Sequence, residues 1–104
     1  MYIVREIFYL QFGRYKEAKV LIDEATQGGL FPQTSGNRVL TDFTGESYRL
    51  IFESSYATLA DFEQELARDM GVADWRPWYE KFKVLVRHSE REILKQIDIK
   101  KLIS

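Results

Sequence analysis

His88 is the single histidine of the chain and the one side chain whose ordinary pKa lies near neutrality. It falls between an aromatic segment and the last alternating stretch. There it is a candidate base at a cavity mouth, or more plainly a histidine closing a helix on its last carbonyls. Arg5, Arg49, Glu53 and Glu92 form a second group, spaced along segments that read as neighbouring strands. Charges gathered on one sheet face must be paired if they are covered. They are read either as an ion-pair network or as a polar site orienting a small ligand. Arg49 is the preferred ligand-binding residue, since a guanidinium grips a carboxylate or phenolate through two hydrogen bonds. Arg5, Glu53 and Trp78 complete the proposed binding set. Trp75, Trp78, Tyr79 and Phe82 make an aromatic face that either packs on a sheet or stacks on a planar ligand. Tyr9, Tyr48 and Tyr56 offer phenols, with nothing to single one out.

Composition removes several chemistries. The chain has no cysteine, which excludes disulfides, thiolate catalysis and Cys-ligated zinc or iron–sulfur sites. One histidine excludes a His-pair metal site and leaves a hydrolase triad little support, so neither a metal nor a cofactor is expected. Gly28-Gly29 stands alone, with neither GxGxxG nor GxxxxGK[ST] around it, so it reads as a helix stop and not a phosphate loop. The net charge of −1 gives no support for nucleic-acid binding. Acidic pairs at Asp23-Glu24 and Glu63/Glu65 are read as solvated helix faces. Charges at Arg5 and Glu6 interrupt the apolar start that a signal peptide needs. No stretch nears the roughly 18 apolar residues of a membrane span. The expectation is a soluble, cytoplasmic protein.

These residues must be held by a few elements. At 104 residues the chain supports one domain, expected over 1–97 with a tail at 98–104. Residues 2–12, rich in β-branched and aromatic side chains, predict a strand closed by Gly13. Over 14–27, Ala18, Leu21, Ile22 and Ala25 recur at helical spacing, and Gly28-Gly29 ends the run. The stretch 28–37 reads as a loop, long enough to cover a ligand or to be a plain connection. Strands follow at 38–43 and 47–54, joined by a turn at Thr44-Gly45-Glu46. Thr58 with Asp61 resembles a capping box for a helix carrying Leu59, Phe62, Leu66 and Met70 and broken at Gly71. Asp74 is placed to cap the next segment, with Pro77 in its first turn. Residues 89–97 alternate and read as the last strand. Phe62, Leu66, Phe82 and Ile22 are expected under the helices.

The order is strand, helix, strand, strand, broken helix, strand: an α+β, ferredoxin-like βαββαβ chain with an antiparallel sheet. Helices cover one face. Yet the strands carry apolar residues on both, as with Ile3 and Ile7 against Val4, Phe8 and Leu10. A second cover is needed, and a self-complementary homodimer supplies it.

Three segments carry a family resemblance. They are Val4-Arg5-Glu6-Ile7-Phe8-Tyr9-Leu10-Gln11-Phe12-Gly13, the stretch Gly45-Glu46-Ser47-Tyr48-Arg49-Leu50-Ile51-Phe52-Glu53-Ser54, and Trp75 to Ile97 with Ser89-Glu90-Arg91-Glu92-Ile93-Leu94. Together they resemble the dimeric α/β-barrel superfamily, and within it NIPSNAP-like domains. The resemblance implies a homodimer with a cavity that binds a small organic molecule. The alternative it implies is a cofactor-independent, monooxygenase-like enzyme acting on an aromatic substrate, with His88 or a tyrosine beside it. The superfamily also holds haem-degrading enzymes and dehalogenases, so its fold assigns no reaction. Haem-degrading relatives use a helix-borne histidine, but no local motif here matches theirs, and that role is not carried to His88. A pocket is expected between the helices and the sheet or inside the barrel, lined from the first and third strands, the 28–37 loop and the aromatic helix.

Overall fold

The Tyr2–Leu10 segment forms a strand because it is rich in β-branched and aromatic side chains, and both of its parities bury apolar residues. A computed structural model of the chain describes residues 1–30, 37–44 and 48–98. Its elements are β1 (Tyr2–Leu10), α1 (Tyr15–Gln27), β2 (Arg38–Thr41), β3 (Arg49–Tyr56), α2 (Leu59–Met70), α3 (Trp75–Lys83) and β4 (Val86–Lys95). The strands form one antiparallel sheet in the order β2-β3-β1-β4. This is the expected α+β, ferredoxin-like arrangement, with the second helix split into α2 and α3.

The local signals act mostly as expected. Helix α1 closes in a Schellman motif, with Gly29 at φ 68°. The Leu30 N–H reaches the Ala25 carbonyl at 2.9 Å, and the Gly29 N–H reaches that of Thr26 at 3.3 Å. The Thr58 hydroxyl accepts from the Asp61 N–H at 3.1 Å and starts α2. Asp74 differs, since its side chain makes no capping bond. The Trp75 N–H instead reaches the Val72 carbonyl at 3.1 Å, so a backbone turn does the work expected of a carboxylate.

Strand boundaries move by a few residues. Pairing of β1 stops at Leu10, and Gln11 and Phe12 leave the ladder before the turn at Gly13, φ 78°. Strand β2 ends at Thr41 and β3 runs on to Tyr56. Strand β4 starts at Val86, not at 89, because a register shift between Tyr9 and Leu10 lets Val86 pair with Leu10. His88 therefore lies within β4 and pairs with Tyr9, and the helix-end reading of it does not apply. Residues 45 and 46 of the expected turn, most of the 28–37 loop and the tail beyond 98 lie outside the described residues.

The helices cover the sheet face of Val4, Glu6, Phe8, Leu50, Phe52 and Tyr56, and their apolar residues form two separate clusters. One gathers Leu10, Ala18, Ile22, Trp78, Phe82 and Leu85 beneath α1 and α3. The other holds Val4, Tyr56 and Phe62, with Leu66 packed beside them, beneath α2. Phe62, Phe82 and Ile22 are buried as expected, and Leu66 is half-buried. Glu65 departs from expectation. It is 7% exposed and bridged to Arg68, not solvated, because it stands one turn beyond Phe62 on the inward side of α2.

Candidate functional site

The gap between the two clusters is a cleft. It holds about 680 Å³ between the helices and the sheet, of the size that small-molecule sites occupy. Its floor comes from β1, β3 and β4, its walls from α2 and α3, and Leu30 and Asn37 reach it from either side of the 31–36 segment.

Rings line much of it. Trp75 stacks on Tyr79 at 5.8 Å between centroids, and Trp78 on Phe82 at 5.0 Å. Phe8 meets Phe82 edge-on at 5.1 Å. Trp78 donates its indole N–H to the Leu21 carbonyl at 2.6 Å, so its ring forms wall while its polar atom ties α3 to α1.

Polar groups converge on the same space. Glu6 and Arg91 face each other across β1 and β4, and the Arg91 Nε–H donates to Glu6 Oε1. The guanidinium also lies 5.3 Å from the centre of the Phe62 ring. Ser54 and Ser89 add hydroxyls to the lining. Burial pushes the Tyr56 phenol above its ordinary pKa, the Ser54 hydroxyl offsets part of this, and the carboxylates of Glu65, Asp69 and Glu6 add to the rise. Asp69 lines the cleft as well. Burial raises its carboxyl, Glu65 raises it further, and Arg68 opposes both.

The residues singled out in the sequence divide between the two sides of the sheet. Trp78 lines the cleft. Arg5, Arg49, Glu53, Glu92 and His88 share the register of the face turned away from the helices. Across that face Arg38, Glu53, Arg5 and Glu92 stand in one row of alternating sign. Glu53 sits at its centre, accepting from the Arg5 Nε–H at 2.8 Å and from Arg38. The paired guanidinium of Arg38 holds the Glu53 carboxyl below its ordinary pKa, burial opposes this, and Arg5 adds to the lowering. The edge of the cleft reaches the Arg38–Glu53 pair. Arg49 is held by Asp42 at 2.8 Å and does not line the cleft, and Asp42 is the main cause of its raised pKa. The His88 side chain is 56% exposed and bonded to Glu90 at 3.1 Å. It borders a shallower hollow of about 230 Å³ beside the α3–β4 junction.

Glu6, Arg91, Ser54 and Asp69 escaped the sequence reading. A signal existed for the first two, because Glu6 has the parity of Val4 and Phe8, which marks it as facing the helices. Among the described residues, no cluster of His, Asp and Glu side chains could hold a metal ion, and no helix is long and apolar enough to cross a membrane.

No family model and no curated protein matches this chain. Solved structures do. A NIPSNAP family protein from Agrobacterium tumefaciens aligns with a TM-score of 0.82 at 23% identity, covering 94% of this chain and 95% of that one. A NIPSNAP domain protein from Burkholderia xenovorans aligns with a TM-score of 0.79 at 15% identity, covering 93% and 95%. An antibiotic biosynthesis monooxygenase aligns with a TM-score of 0.71 at 10% identity, covering 94% and 100%. The chain thus has the fold of these proteins, as the resemblance in its sequence implied.

Proposed function

We propose that this protein binds a small organic molecule in the cleft between its helices and its sheet, and that it does so as a homodimer joined through the open sheet face. The cleft carries the proposal. It is large, walled by aromatic rings and provided with a few converging polar groups, the combination that fixes and orients a small ligand. The open face supports the dimer. Leu40, Ile51 and Ile7 form an apolar row across β2, β3 and β1, and Ile3 and Leu94 form another across β1 and β4. Ile7 is covered within one copy, while Leu40 and Leu94 stay exposed, and monomeric proteins seldom leave a contiguous apolar patch to water.

The oxygenase-like alternative looks first to His88 for its base. His88 projects from the far face of the sheet, outside the cleft, so that alternative would have to use Tyr56 or Tyr79, which line it. Ligand-observed NMR with naphthalene derivatives tests the proposal. Signal transfer to the parent and to Arg49→Ala, with loss in Leu66→Trp, is the expected outcome, because the larger ring fills the cleft. Equal binding by Leu66→Trp, or no binding by the parent, overturns it.

A further inference from the structure

The charges of the cleft do not balance. Among the described residues, five charged side chains line it: Glu6, Arg38, Glu53, Asp69 and Arg91. Glu6 is paired with Arg91, and Glu53 with Arg38. Glu53 also takes Arg5, and the extra positive charge of that triad lies on the open face, where Glu92 stands opposite Arg5 in register. Asp69 remains. Among the described residues its carboxylate has no hydrogen bond and no ion pair, since its neighbour Arg68 is turned to Glu65.

Three observations deepen the imbalance at Asp69. It stands in the last turn of α2, where the helix dipole is negative and a carboxylate is disfavoured. Glu65, one turn earlier, is buried, and its Oε1 has no partner. The same cleft is lined by aromatic rings, which attract cations: Phe62 on α2, already beside the Arg91 guanidinium, and Trp75 and Tyr79 on α3. The helix dipole at Asp69 and the aromatic lining both favour a cation in the cleft. An anion would meet Asp69, and at Arg91 it would share the guanidinium with Glu6.

We infer that the cleft selects an organic cation, an amine or quaternary ammonium on an aromatic or other flat apolar body, with its charge against Asp69 and its body against Phe62, Trp75 and Tyr79. The inference rests on the cleft being the ligand site. The raised Asp69 carboxyl agrees, since burial lifts it first, Glu65 lifts it further, and Arg68 offsets this only in part.

Titration calorimetry of the full chain near neutral pH, with naphthylmethylamine, naphthylmethanol and naphthoate, tests it. The three share one body and differ in charge. The amine is expected to bind about tenfold more tightly than the alcohol, and naphthoate most weakly. Asp69→Asn is expected to bring the amine to the level of the alcohol and to leave the alcohol unchanged. Should that variant misfold by circular dichroism, Asp69→Ser takes its place, and the ranking on the parent decides by itself. Alcohol binding as tight as amine binding, naphthoate binding tightest, or an amine preference that survives loss of the carboxylate overturns the cation selectivity while the cleft stands as the site. Failure of all three probes overturns the cleft as a ligand site, and the selectivity with it.

Discussion

The Arg5 Nε–H reaches the carboxylate of Glu53 at 2.8 Å across β1 and β3, and Glu53 is only 3% exposed. Arg38 takes its other oxygen. Both guanidiniums keep contact with water, so removing the carboxylate leaves them solvated and not orphaned. Glu53→Gln should therefore cost about 1–2 kcal/mol, below the roughly 3–5 kcal/mol of a fully buried broken pair. The Glu53 carboxyl is held below its ordinary 4.5 in the folded chain. The stability it contributes is present above that value and is lost as pH falls through the lower folded one. Urea melts of parent and Glu53→Gln should differ at neutral pH and converge in the acid range. A gap that stays constant through that range rules the linkage out.

The fold and one half of the charge pattern were legible because they depend on period. Arg5, Glu53 and Glu92 share parity on their strands, and period-2 alternation puts them on one face without further information. The cleft was less legible because it depends on which face the helices choose and how far apart two of them settle. Glu6 and Arg91 become part of a site only once the helices stand over their face of the sheet. His88 lies within β4 because the ladder with β1 runs on past Ser89 to the Tyr9–His88 pair, an extension set by the partner strand that local composition does not signal. Glu65 was misread for a different reason. Its charge was weighed above its spacing from Phe62.

Trp78 gives a sharper test of how α1 and α3 are joined. Its indole N–H is the donor for the Leu21 carbonyl. Trp78→Phe keeps an aromatic wall but removes that second donor from a carbonyl already within the α1 ladder, and it leaves a small void, so a loss of about 1–2 kcal/mol is expected. Chemical denaturation followed by circular dichroism reads it directly. A change under about 0.5 kcal/mol would mean that the bond contributes nothing net.

Phe62 joins the second core cluster to the cleft. Its ring packs against Tyr56 at 5.5 Å and carries the guanidinium of Arg91 at 5.3 Å. A buried Phe→Ala change ordinarily costs about 3–5 kcal/mol. Here one side of the ring already borders open space, so Phe62→Ala should fall near the lower end, about 3 kcal/mol. A loss below about 1 kcal/mol would contradict the phase of α2.

The last prediction concerns the open face. Leu40 and Leu94 are 38% and 39% exposed, and the rows they belong to, Leu40-Ile51-Ile7 and Ile3-Leu94, flank the charged row of Arg38, Glu53, Arg5 and Glu92. A two-fold axis through such a surface turns that charged row end for end, bringing Arg38 toward the partner's Glu92 and Glu53 toward the partner's Arg5. The apolar rows close on either side. An isologous contact of this kind is self-complementary, and burial of roughly 800 Å² per partner would be ordinary for it. Sedimentation equilibrium at micromolar concentration should then give about twice 12.3 kDa. The dimer should persist in high salt, because screening weakens the charge pairs and leaves apolar burial intact. Neither Leu40 nor Leu94 is buried within one copy, so Leu40→Asp with Leu94→Asp should leave the fold unchanged and shift the mass to that of a single chain. A parent that sediments as a single chain, or a double variant that stays paired, would remove the open face as the dimer interface.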